Sequence, residues 1–250
     1  MIARVLRHDR WIVLAGVVAV AGLAWFDVWR RARGVMDMAM PEMEPWSPAE
    51  LGAIVAMWLV MMIAMMLPSA APMLLLFAAT QRERTHARPS APVLAFTAGY
   101  LLMWVGFSVV AAVLQALLQE RMLLSSELAV TSAWLGGGVL ALAGVYQLTP
   151  LKNACLLRCQ SPLGFLLSRW RDGAGGALAM GLRHGAYCLG CCWALMVVLF
   201  VVGVMNLAWV AALAVFVLVE KAVSRGVWLS RISGGALIAW AVWLTARSTS

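Results

Sequence analysis

The residues best suited to chemistry form two short motifs, Cys155-x3-Cys159 and His184-x3-Cys188-x2-Cys191-Cys192, which hold all five cysteines of the chain. At about 100° per residue, a helix through the second motif points Cys188, Cys191 and Cys192 at about 40°, −20° and 80° from His184. One helix face then presents an imidazole and three thiols. Thiolates with an imidazole suit Cu(I), Zn(II) or an iron–sulfur cluster. Cys155 and Cys159 follow an apolar segment that precedes this helix, and short connections favour neighbours, so the two sets are expected to converge. Lone cysteines between membrane helices usually act as small apolar filler. Five thiols confined to two motifs beside a histidine are poorly explained that way.

The methionines point to the same soft chemistry. Ten of the sixteen fall between Met36 and Met73. Met36, Met38, Met40 and Met43 occupy an acidic, proline-containing loop, MDMAMPEMEP. Thioethers in water bury nothing, but they bind Cu(I) without competition from protons and form no disulfides. In MWLVMMIAMMLP, Met57, Met61 and Met65 share an arc of about 80°, one turn or about 6 Å apart along a helix, with Met62 and Met66 on an adjacent stripe. That ladder could hand on a soft ion, or simply pack helices together. Pro68 and Pro72 follow and are expected to break or kink the helix, freeing carbonyls.

Other candidates carry less. Glu220-Lys221 ends an apolar run, where a carboxylate needs a partner or water, and reads as a structural pair or a proton-linked group. Lys152 could lower the pKa of a nearby thiol or mark an interface. Gly136, Gly137 and Gly138 permit close helix approach and form no nucleotide loop. No catalytic triad, carboxylate dyad or nucleophile elbow occurs at workable spacing, so catalysis is not expected.

The elements that must position these residues are apolar helices. Hydrophobic residues make up 64% of the 250, charged residues 12%, and the mean hydropathy is +0.89; a soluble domain carries about 25% charged residues. The net charge of +8 does not indicate nucleic acid, because the basic residues lie in short segments between apolar runs, where they set topology. No nucleotide or nucleic-acid partner is expected. The expected fold is all-α, a single integral membrane domain over residues 1–250: a polytopic bundle in a lipid bilayer. Its seven spans run roughly Trp11–Val28, Leu51–Ala79, Val93–Leu118, Trp134–Leu148, Gly176–Val202, Leu207–Val219 and Gly234–Ala246. A turn at Met205–Asn206 separates the fifth from the sixth; a single bent or re-entrant segment there would give six. With the N-terminus inside, seven spans place 14 basic residues inside against 5 outside, and six spans 12 against 7, so N-in and C-out with seven is preferred. The first segment reads as an uncleaved anchor, with a signal peptide cleaved after Ala19-Val20-Ala21 as the alternative.

The stretches MWLVMMIAMMLPSAAP, YQLTPLKNACLLRCQSP and HGAYCLGCCWALMVVLFVVGVMNLAWVAALAVFVLVEK resemble the domain-of-unknown-function 2182 family of bacterial proteins, described as predicted metal-binding integral membrane proteins. The resemblance covers about residues 46–221, leaving an N-terminal anchor helix and Met-rich outer loop over 1–45. It implies a multi-pass protein of the bacterial inner membrane with a metal site in the Cys-rich motifs, and no particular activity. Together with the thioethers, the expectation is a Cu(I)-handling protein that transports copper or delivers it to a copper-dependent membrane or periplasmic enzyme or chaperone. Met36–Met43 would collect the ion, Met57, Met61 and Met65 would pass it, and the thiols with His184 would receive it. A fixed Zn(II) or cluster site with a structural role and a thiol–disulfide redox protein are the alternatives.

Overall fold

The structure, a computed structural model, describes residues 2–35, 47–85, 90–125, 127–223 and 226–248. Met36, Met38, Met40 and Met43 lie outside the described residues. The fold is all-α, with no named strand among the described residues. The helices are α1 (Ile2–Val35), α2 (Pro48–Thr85), α3 (Ser90–Glu120), α4 (Ala133–Leu148), α5 (Pro150–Cys159), α6 (Pro162–Arg169), α7 (Gly173–Val197), α8 (Leu199–Val202), α9 (Leu207–Ala222) and α10 (Gly226–Arg247). The four residues of α8 continue α7 as one apolar stretch, Gly173–Val202.

Among the described residues, five helices are long and apolar enough to cross a membrane: Trp11–Arg33, Pro48–Arg84, Ala91–Glu120, Gly173–Val202 and Gly226–Arg247. This corrects the expectation of seven spans. The fourth and sixth expected spans are α4 and α9, each of 16 residues. At 1.5 Å per residue such a helix rises about 24 Å, short of the ~30 Å hydrocarbon thickness. The turn expected at Met205–Asn206 does separate two helices. Gly203 starts it with φ +95°, a left-handed conformation that glycine adopts without penalty, and Asn206 caps α9 by accepting the Trp209 backbone N–H at 3.4 Å.

α2 runs unbroken through Pro68 and Pro72, and a carbonyl expected to be freed there finds a partner. Proline removes a backbone donor and orphans the carbonyl four residues earlier. For Pro68 that carbonyl is Ala64's, and the Trp25 indole of α1 donates to it at 3.0 Å. The neighbouring helix supplies the missing hydrogen bond, so α2 continues.

Close packing through glycine fixes the rest. The most extensive helix pairings are α3 with α7 and α4 with α10. A Cβ on Gly185 would meet the Tyr100 carbonyl oxygen at 3.0 Å, and one on Gly181 would collide with the Phe96 carbonyl, so α3 and α7 approach backbone to backbone. Gly144 and Gly234 do the same for α4 and α10, a Cβ on either meeting the other's carbonyl oxygen within 2.9 Å. Small residues that admit such contact are the usual means of joining apolar helices where no hydrophobic driving force separates helix from lipid. Among the three glycines singled out for this role, Gly137 touches α10 at Thr245 and Gly136 at Leu244, while Gly138 faces open space.

Candidate metal centre

The thiol face of α7 points into the largest core cluster. His184, Cys188, Cys191 and Cys192 are all at most 2% exposed. Their helical spacing sets this, because positions i, i+4, i+7 and i+8 share the face that α2, α3, α5 and α9 cover. α5 starts at Thr149, whose side-chain oxygen accepts the Lys152 N–H, and Pro150 stands at its first turn. This short helix lies along α7 and carries the second thiol pair to it.

Cys159 packs against the core cluster that holds Cys188, Cys191 and Cys192. Cys155 packs on Gly190, where a Cβ would come 2.9 Å from its sulfur, and remains half-buried. Burial pushes the Cys155 thiol above its ordinary pKa; Cys191 adds to the shift and Arg158 opposes it. Cys191 and Cys192 each donate to the Cys188 carbonyl, at 3.1 and 3.0 Å. All five cysteines are free thiols. The convergence expected of the two motifs therefore holds for Cys159, Cys188, Cys191 and Cys192.

Three groups join them that the sequence reading did not assign. Met66 places its sulfur 3.8 Å from that of Cys192. Lys221 places Nζ 2.8 Å from the Cys188 sulfur, 3.1 Å from the Ser69 hydroxyl and 3.9 Å from the Met66 sulfur. The Tyr100 hydroxyl lies 3.2 Å from the Cys188 sulfur and 3.1 Å from the Met66 carbonyl oxygen. Of the α2 methionines, the thiols are met by Met66 on the adjacent stripe. Met65 is buried in the same core, while Met57 and Met61 line a small pocket with Met205, Val204 and Val210. The proline after Met66 was the available signal, since a kink-prone point in a Met-rich helix is where a neighbour must approach. Nothing in the spacing marks Tyr100.

His184 does not bond a thiol. Its ring is boxed by Phe96, Tyr100 and Phe165, with centroids 6.1, 5.9 and 5.6 Å away, and its buried Nδ1 has no hydrogen-bond partner. Among the described residues no three His, Cys, Asp or Glu side chains form a group set to hold a metal ion. The set that does converge mixes thiol with thioether. A thiol and a thioether brought together, as Cys192 and Met66 are, are soft donors of the kind that suits Cu(I) better than harder ions.

Glu220 and Lys221 part company although adjacent. A helix turns about 100° per residue, so Lys221 faces the thiols while Glu220 faces α5 and α10. There Glu220 pairs with Lys152, both fully buried, and the Ser230 hydroxyl donates to the same carboxylate oxygen at 2.6 Å. Lys152 thus serves the carboxylate and no thiol. Gln160 closes the arrangement by donating to the Glu220 and Val223 carbonyls at 2.7 and 2.9 Å.

No curated protein and no solved structure matches the chain. The model of the PpoB2 family, described as copper chaperone, matches residues 55–244, a stretch that contains every group of the sulfur cluster. With more than half of its length matched, the chain belongs to the PpoB2 copper-chaperone family.

Proposed function

We propose that this chain is a multi-pass membrane protein that binds Cu(I) as cargo at Cys159, Cys188, Cys191 and Cys192, with the Met66 thioether as an accessory donor, and delivers it to a copper-dependent enzyme. The observation that carries this reading is the meeting of the Met66 thioether of α2 with the Cys192 thiol of α7 inside the bundle, in a core cluster against which the α5 cysteines also pack. Cu(I) prefers soft sulfur and low coordination numbers, and the thiols must shed their protons to bind it. Several thiolates around one Cu(I) leave net negative charge in a medium of low dielectric, which needs a nearby cation. Lys221, 2.8 Å from Cys188, is that cation. Cys155, half-buried beside the cluster, is placed to exchange the ion with a partner, and His184 supplies a further nitrogen one turn from Cys188. Family membership as a copper chaperone supports cargo handling, and the resemblance to the domain-of-unknown-function 2182 family supports a membrane-embedded metal site. The same resemblance supports a place in the bacterial inner membrane. Met36, Met38, Met40 and Met43 would take up copper outside, and Met57, Met61 and Met205 would pass it toward the thiols, with Met65 in between.

The test is metal analysis of protein purified in detergent under reducing conditions, before and after loading with Cu(I), beside Cys188→Ser/Cys191→Ser/Cys192→Ser. Roughly stoichiometric copper in the native protein and none in the variant is the expected result. Tightly held zinc or iron would instead establish the structural or cluster reading. Absence of any metal after loading would overturn the proposal.

A further inference from the structure

We infer that the arginine-lined cavity between α6 and α7 is a binding site for the phosphate headgroup of an anionic phospholipid; this rests on the membrane reading above. The cavity, of about 290 Å³, is lined by Arg169, Arg171 and Arg183 together with Ser168, Trp170 and Met180, and among the described residues no carboxylate lines it. The carboxylate nearest in sequence, Asp172, is engaged by the Trp170 indole N–H at 2.7 Å. Arg183 is held in place by its Nε, which donates to the Tyr187 hydroxyl at 3.3 Å. A fourth guanidinium, that of Arg84, stacks over the Trp170 ring at 4.6 Å. Three arginines line one concavity, and planar guanidinium forks match phosphate oxygens.

The neighbouring surface selects the source of that phosphate. α6 buries Phe165 and Leu166 but leaves Leu163 57% and Leu167 76% exposed, two leucines one turn apart on the helix that leads directly into Arg169. A soluble anion would leave these leucines in water. A lipid whose headgroup fills the cavity covers them with its acyl chains, and Trp170, with an apolar ring and a polar N–H, suits the boundary between the two. Basic pockets between helices at the membrane surface take anionic headgroups on these grounds.

The experiment compares the full chain with Arg169→Gln/Arg171→Gln/Arg183→Gln, both purified in mild detergent. Native mass spectrometry reads retained phosphatidylglycerol, and thermal midpoints are followed while short-chain phosphatidylglycerol, short-chain phosphatidylcholine or inorganic phosphate is titrated. The expected result is retained phosphatidylglycerol on the native chain, a midpoint raised by that lipid alone, and binding at least about 10-fold weaker in the variant. Equal lipid retention by the variant, or protection by inorganic phosphate equal to that by the lipid, would overturn the inference. The single change Arg169→Gln, on an exposed side chain, gives the same reading if the triple variant does not fold. Recovery of the native chain from the soluble fraction without detergent would instead remove the membrane reading itself, and Cu(I) loading of the variant reports separately on the thiol site.

Discussion

Two regions built on the same helices, α5 and α9, handle charge and polarity in opposite ways. On one side Lys152, Glu220 and Ser230 form a sealed set in which the cation meets a carboxylate from the same chain at zero exposure. On the other, Lys221 meets only sulfur and hydroxyl groups, and the thiols spend their weak hydrogen bonds on a backbone carbonyl. The first region joins α5, α9 and α10 through one carboxylate oxygen, Glu220 Oε1, while the buried Oε2 takes no hydrogen bond. In the second, soft donors and an adjacent cation have no hard anion to satisfy them, which is the composition expected of a place for exchangeable cargo. A buried ion pair contributes little net stability but is costly to break on one side, because the remaining charge is left uncompensated. α5 therefore serves as a strut: its ion pair holds in register the helix that brings Cys155 and Cys159 to α7.

Breaking the sealed region has the largest expected effect. Glu220→Gln should destabilise the protein by about 3–5 kcal/mol, read as a lowered thermal midpoint in detergent. Lys152→Met/Glu220→Met should recover most of that loss, and a double variant no better than the single one would show that the pair is not what holds α5. The soft region should answer the other way. Cys188→Ser/Cys191→Ser/Cys192→Ser should abolish Cu(I) binding while its thermal midpoint stays within a few degrees of the native value; a collapse of the fold would erase the contrast between the regions. Lys221→Met, which removes the countercharge, should weaken Cu(I) binding by about 10-fold in competition titrations, with Lys221→Arg intermediate. Met66→Leu should weaken it by a similar or smaller factor, about 10-fold at most. Met57→Leu/Met61→Leu/Met205→Leu is expected to leave equilibrium affinity at the thiols within about twofold and to slow loading of reconstituted protein. An unchanged loading rate would confine the copper chemistry to the cluster around Cys188.

Much of this contrast was legible in the residues alone. The i, i+4, i+7, i+8 spacing of His184, Cys188, Cys191 and Cys192 places them on one helix face, and all four are buried together. The fourth and fifth expected spans, α4 and α7, do lie in contact as short connections imply, and α5 between them in the chain packs on α7 as well. The unread part lies between helices. Choosing Met57, Met61 and Met65 over Met66 was a choice between two stripes about 100° apart on α2, and periodicity cannot say which stripe faces α7. The continuity of α2 through Pro68 depends on an indole from α1, 39 positions away in the chain. His184 shares the thiol face as its spacing implies, and only the fold shows that aromatic rings from α3 and α6 surround it.

By itself the sequence determined the all-α class, the apolar helices and the grouping of soft donors, because hydropathy and helical period are properties of consecutive residues. Tertiary structure alone decided which helices are long enough to cross a membrane once their caps formed, and which of Glu220 and Lys221 faces sulfur. It also seated Cys155 against Gly190 of α7, where no side chain intervenes. These outcomes depend on how far one helix is rotated and slid against another. That is fixed by backbone contacts at Gly181, Gly185, Gly144 and Gly234, where the absence of a side chain sets the distance and the partner across the interface sets the angle.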